Sequence, residues 1–274
     1  MSNLKSFITK RPVLATISIT IIWFLLIMIS TGVATGLFKK EFGDSTTSFI
    51  GHLVGIIFVL TLLWRLGWLK YAGISQLGTY QIWLIAIIGT VYFALASLFS
   101  FYGKLSFDFS NLTDLSFSGN VIKLNIAVSI DEEFLFRGDI LYILIRSWGD
   151  SLNGKIGSVI LISGIFALFH ILNVLFWGTS LISILFLVLE TFIISIWWAS
   201  MVLKGGSIWP AFLAHFVINT AVTLQGHTQS ITQPEFQAYL KLLLFSLPLG
   251  IYGFWMIFRI PNQQKKSIDR FVST

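Results

Sequence analysis

Five ionisable residues crowd the stretch SIDEEFLFRGDIL, residues 129–141: Asp131, Glu132, Glu133, Arg137 and Asp139. Glu133 and Arg137 stand four apart, so on a helix they share a face and can form an ion pair. Glu132 is turned about 100° away by the 3.6-residue period, which leaves it without that partner and free for chemistry. Two further segments carry imidazoles at helical spacing. In FALFHILN, Phe166 and His170 are i and i+4, with Asn173 three residues on; in SIWPAFLAHFVINT, His215 and Asn219 are again i and i+4. Carboxylates and imidazoles are the groups that accept and return protons, so these residues are the candidates for a site. His52, in FIGHLVG, and Glu190 are further candidates within apolar runs.

The elements that must position them are membrane helices. Hydrophobic residues make up 55% of the 274, charged ones 11%, and the mean hydropathy is +0.85. A soluble domain carries about a quarter charged residues, so the composition excludes one and implies a polytopic membrane protein. Eight apolar runs approach the roughly 20 residues needed to cross the hydrocarbon. They lie near 12–35, 49–69, 80–102, 121–146, 155–176, 180–203, 207–224 and 237–258. The first follows Lys5, Lys10 and Arg11 and exceeds the 7–15 apolar residues of a signal peptide, which argues for a retained anchor. The expected fold is an all-α bundle of about eight transmembrane helices around an intramembrane polar cavity. It divides into residues 1–120 (three helices and an outer loop), a core at 121–225, and the last helix with a basic tail at 226–274, all one structural domain.

Basic residues set the orientation. With the N-terminus inside, the inner side collects Lys5, Lys10, Arg11, Arg65, Lys70, Arg146, Lys155, Lys204, Arg259, Lys265, Lys266 and Arg270. The outer side has Lys39, Lys40 and Lys104, with Lys123 and Lys241 near helix entrances, so both termini are expected in the cytoplasm. There is no Cys, hence no disulfide, thiolate metal site or cysteine nucleophile.

Burying ionisable groups in a bilayer is costly, and such groups usually face a bundle interior or a wet cavity. At a rise of 1.5 Å per residue, Glu132 and His170 fall roughly 20 Å from the inner ends of their helices; His215 and Asn219 fall roughly 12 and 18 Å in. Three helices thus carry a Glu, a His and a His/Asn pair to similar depths, which independent interhelical hydrogen bonds would have no reason to do. Glu190 reaches a similar depth and either joins the cavity or bonds a neighbour. Asp131, Asp139 and His52 acquire no role.

At these positions the sequence resembles the CPBP intramembrane proteases, the CAAX-protease and bacteriocin-processing (Abi) family. Its motif Glu-Glu-x-x-x-Arg, extended to Phe-Arg-Gly, is matched by Glu132, Glu133, Phe136, Arg137 and Gly138; Phe-x-x-x-His by Phe166 and His170; His-x-x-x-Asn by His215 and Asn219. The resemblance spans about residues 120–225 and implies hydrolysis of a peptide bond by an activated water. In that scheme Glu132 is the general base, helped by His170; His215 and Asn219 bond the tetrahedral oxyanion; Glu133 and Arg137 support the helix and tune Glu132. The metal question stays open, since Glu132, His170 and His215 could form a His₂Glu zinc set while relatives are also argued to use a metal-free glutamate. The chain has no H-E-x-x-H helix, so zinc ligands would come from three helices; the metal-free version is slightly preferred.

The resemblance further implies a peptide or membrane-protein substrate in the lipid bilayer, in bacteriocin processing, self-immunity or CAAX-type processing, and nothing points to nucleic acid. A bacterial plasma-membrane location is expected. Two other readings stand beside it: a non-catalytic immunity or regulatory membrane protein, and a proton-coupled transporter. The transporter reading predicts inverted repeats or broken helices at the site, and the sequence shows neither.

Overall fold

The computed structural model describes residues 2–103, 115–172, 180–228 and 235–260, and among them every regular element is helical. In chain order the helices are α1 (Ser2–Lys10), α2 (Pro12–Leu66), α3 (Tyr80–Tyr102), α4 (Leu115–Glu133), a π-helical segment (Phe134–Ile140), α5 (Leu141–Trp148), α6 (Leu152–Phe169), α7 (Leu181–Gly205), α8 (Trp209–Thr228) and α9 (Glu235–Phe258). Six stretches are long and apolar enough to cross a membrane: 12–38, 45–66, 80–102, 152–169, 181–205 and 235–258. The shorter Trp209–Leu224 and the continuous α4–π–α5 run bring the crossings to the eight expected.

The 55 residues of α2 supply two of these crossings. Drawn straight, the helix would place Trp23 and His52 roughly 43 Å apart. Both instead bond one carboxylate: Trp23 Nε1 donates to Asp131 Oδ1 at 2.8 Å, and His52 Nδ1 lies 2.9 Å from Asp131 Oδ2. Gly51 likewise lies against Thr31 and the Ile27 carbonyl. α2 is therefore a hairpin whose two arms stand side by side against α4. Gly67 ends it in the left-handed region at φ 67°, where a Cβ would be strained, and the Trp68 N–H bonds back to the Leu63 carbonyl at 2.8 Å.

Because lipid is as apolar as leucine, helix association here depends on close packing and on polar contacts. Trp197 of α7 is the clearest wedge. Its ring lies so close to Gly89 of α3 that any side chain there would overlap it, and its backbone lies within 2.9 Å of where a Cβ on Gly253 of α9 would sit. Exposed Ile22, Ile29, Leu84, Ile88, Leu181 and Ile251 form part of the outer, lipid-facing surface.

One end of the bundle is tied by polar contacts. The Ile208 N–H donates to Gly73 O at 3.1 Å, Ser207 Oγ to Gln76 O at 2.6 Å, and Trp209 Nε1 to Ile74 O at 2.8 Å. These bonds strap the 67–79 connection to the α7–α8 turn and so fix the start of the helix carrying His215. Lys155 Nζ donates to Ile260 O at 3.0 Å, and the Arg146 guanidinium lies 5.6 Å over the Trp68 ring. Residues expected on the inner side thus gather at one end.

Three details differ from the sequence reading. A short helix, α1, precedes the first span, with Ile8 buried and Leu4 and Phe7 exposed. α6, expected to continue to about 176, ends at Phe169. There the His170 side chain, through Nδ1, takes the Phe166 carbonyl at 3.1 Å, the acceptor its own backbone N–H would use in a further turn; that N–H bonds Ala167 O at 3.0 Å instead. The 103–120 stretch, expected as an outer loop or interfacial segment, already begins α4 at Leu115, while 104–114 and the tail 261–274 lie outside the described residues.

Candidate active site

The first motif lies where α4 gives way to the π-helical segment. A π turn widens the helix by one residue and is frequent at functional sites. Here it holds Phe134 to Ile140, all buried, between Glu133 and the regular helix α5. Glu133 and Arg137 are both 0% exposed and form the expected pair, Arg137 Nη1 donating to Glu133 Oε1 at 3.0 Å. Arg137 Nη2 also donates to Ser195 Oγ of α7 at 2.9 Å, and the guanidinium lies 4.4 Å over Phe166 and 5.2 Å over Trp198. Ion pair, hydroxyl and two aromatic faces together offset the cost of burying the arginine.

Glu132 faces elsewhere, as its helical position requires, and keeps 21% of its side chain accessible. That accessibility separates it from Glu133: water can reach one carboxylate and not the other. His215 bridges the two, with Nδ1 3.0 Å from Glu133 Oε1 and Nε2 3.6 Å from Glu132 Oε2. Its ring stacks on Trp198 at 4.7 Å between centroids, 20° from parallel, which fixes its plane.

The three membrane histidines share a pattern. A carbonyl or an ionised carboxylate only accepts, so a ring nitrogen bonded to one carries the proton. His170 Nδ1 meets the Phe166 carbonyl, His52 Nδ1 meets Asp131, and His215 Nδ1 meets Glu133. In each ring Nδ1 is committed to holding the side chain, and Nε2 is the nitrogen left for chemistry.

Two cavities meet at this point. The larger, about 460 Å³, is lined from α4 by Asn125 and Glu132, from α6 by Phe166 with His170 at its end, from α7 by Glu190, Thr191 and Trp198, from α8 by His215 and Asn219, and from α9 by Tyr239. The smaller, about 270 Å³, opens toward the α2 hairpin through Trp23, Phe24, Met28 and His52, and shares Glu132, Phe166 and His170 with the first. All four residues expected to do chemistry, Glu132, His170, His215 and Asn219, therefore line one wet-sized space. Glu190 faces it too and accepts from the Thr191 hydroxyl at 3.3 Å, so its two alternatives are both realised.

Some residues of the site were not singled out from the sequence. Asn125 precedes Glu132 by seven, two turns on the same face, and its buried Nδ2 has no hydrogen-bond partner among the described residues; the i, i+7 spacing would have found it. Ser195 and Trp198 share the α7 face that holds Arg137 and His215, but nothing local marks them. Asn173 lies outside the described residues. Asp139 is fully buried with no hydrogen-bond partner for either oxygen among the described residues, and nothing in the structure explains it.

The zinc set does not form in this arrangement. Among the described residues no three His, Cys, Asp or Glu side chains converge as ligands of one ion, Glu132, His170 and His215 included.

An all-helical, multi-pass membrane bundle enclosing a glutamate, two histidines and an asparagine defines the class. Within it, residues 114–221 match the family described as type II CAAX prenyl endopeptidase Rce1-like. No curated protein and no solved structure matches the chain. The α2 hairpin with Trp23 and His52, and α9 with Tyr239, lie outside the matched residues.

Proposed function

We propose that the chain is an intramembrane endopeptidase of CAAX type that hydrolyses a peptide bond with a water activated by side chains of the cavity. The observation that carries this reading is the convergence of Glu132, His170, His215 and Asn219, from three separate stretches of chain, on one cavity of about 460 Å³. Glu132, the accessible carboxylate, takes the water's proton as the oxygen attacks the carbonyl carbon, and returns it to the leaving amine. His170, with Nδ1 held by the Phe166 carbonyl, presents Nε2 to the same cavity, where it accepts from Glu132 once that carboxylate carries the water's proton and so helps pass it to the leaving amine. Asn219 donates its amide N–H to the oxyanion. His215, held by Glu133 at Nδ1 and 3.6 Å from Glu132 at Nε2, stands beside it to bond the same oxyanion.

The family description makes a prenylated CAAX peptide the first substrate to try. Purified protein in liposomes, given a fluorogenic prenylated CAAX peptide and a panel of membrane peptides, should show hydrolysis that Glu132→Gln abolishes. Asn219→Ala should lower kcat by about 10²–10³, the usual cost of one oxyanion donor. Glu132→Gln protein that is folded, inserted and fully active would reject the mechanism. Activity should survive chelation in protein purified without zinc; stoichiometric zinc lost together with activity would contradict the metal-free scheme.

A further inference from the structure

The α2 hairpin builds a socket for Asp131, the residue immediately before Glu132. Trp23 Nε1 donates to Oδ1 at 2.8 Å from one arm, and His52 Nδ1 bonds Oδ2 at 2.9 Å from the other. Gly55, one turn beyond His52, has no side chain because the Asp131 carboxylate fills the place where a Cβ would lie. Asp131 is fully buried, and among the described residues its carboxylate bonds Trp23 and His52. An aspartate that accepts from Nδ1–H holds an imidazole in one orientation and one tautomer, with the lone pair on Nε2. His52 retains 17% accessibility and lines the smaller cavity opposite Glu132 and His170. The charged or titratable groups around it are Asp131 and Glu132 from α4 and His170 from the end of α6.

We propose that His52 is a further water-binding residue of the active site: its Nε2 accepts a hydrogen bond from the attacking water on the side of Glu132 that faces the α2 hairpin. Asp131 and Trp23 are positioning residues that act through it. Glu132 takes one proton of the water, His52 orients the other O–H, and the oxygen forms the bond to the carbonyl carbon. No charge accumulates on His52. The hairpin thus completes a site whose other groups come from residues 114–221, and the inference rests on the hydrolytic reading given above.

The decisive variants separate holding from chemistry. His52→Asn keeps an amide N–H that can replace the Nδ1–H bond to Asp131, but has no nitrogen at the Nε2 position. Asp131→Asn turns an amide N–H toward His52, so Nδ1 becomes the acceptor and the proton moves to Nε2, where the water needs a lone pair. In liposomes with the substrate panel above, each should lower kcat by about 10²-fold with KM unchanged, near the low end for one proton-handling group. The double variant should be no slower than the worse single one. Peptide binding measured in the Glu132→Gln background should not change. His52→Asn within threefold of the parent kcat, with Glu132→Gln inactive, would overturn the role of His52 and leave the hydrolytic reading intact. Cleavage indifferent to Glu132 would remove both. Should Asp131→Asn fail to accumulate in membranes, Trp23→Phe, which removes one of the two bonds to Asp131, should lower kcat while His52 stays in place; no change in kcat would count against the socket.

Discussion

At the scale of single residues, the site separates groups that hold from groups that react. Glu133, Arg137 and Ser195 are buried and bonded to one another, whereas Glu132, next to Glu133 in sequence, is reachable by water. Removing one partner of a buried pair leaves an uncompensated charge, at a cost of about 3–5 kcal/mol. Arg137→Met should therefore lower the thermal midpoint of the detergent-solubilised protein sharply, and an unchanged midpoint would mean the pair is not the support described. Arg137→Lys should rescue only in part, because an ammonium cannot bond Glu133 and Ser195 together while stacking on Phe166. The Glu133–Arg137 pair was legible from spacing alone. The second use of Glu133, as the partner of His215, was not, because no local period links positions 82 residues apart.

At the scale of elements, the helices approach where glycine permits it. Trp197 fills the space left by Gly89 and approaches Gly253 just as closely, joining α3, α7 and α9 around the wall that carries Glu190 and Trp198. Gly89→Val should lower the thermal midpoint by clashing with that ring, and Trp197→Ala should relieve part of the loss when the two are combined; strictly additive losses would contradict the contact. Apolar run length made the eight crossings legible. It could not show the π segment, since every one of its residues is buried, Arg137 and Asp139 included, and no exposed face marks a changed period. Nor could it show that the arms of α2 bracket Asp131, a contact made 108 and 79 residues away in sequence. The early end of α6 escaped for a related reason: it depends on a histidine side chain capturing a carbonyl, which hydropathy does not register.

For the whole molecule, the contacts that tie the 67–79 connection to the α7–α8 turn, and Lys155 to Ile260, gather one set of ends on one face. The basic residues of that face lead us to propose that it is the cytoplasmic one. Because the chain has no Cys, single cysteines at Lys10, Gln76 and Lys204 can be labelled without background. All three should react with an impermeant maleimide only from the cytoplasmic side, and labelling of any one from outside would break the topology. Peptides released from membranes containing the wild-type chain, compared with those from membranes containing Glu132→Gln at equal abundance, test the Glu132 chemistry directly. Hydrolysis by the Glu132 water predicts a defined set of cleaved ends present with the wild type and absent with the variant. Identical peptide sets from the two membranes would contradict it.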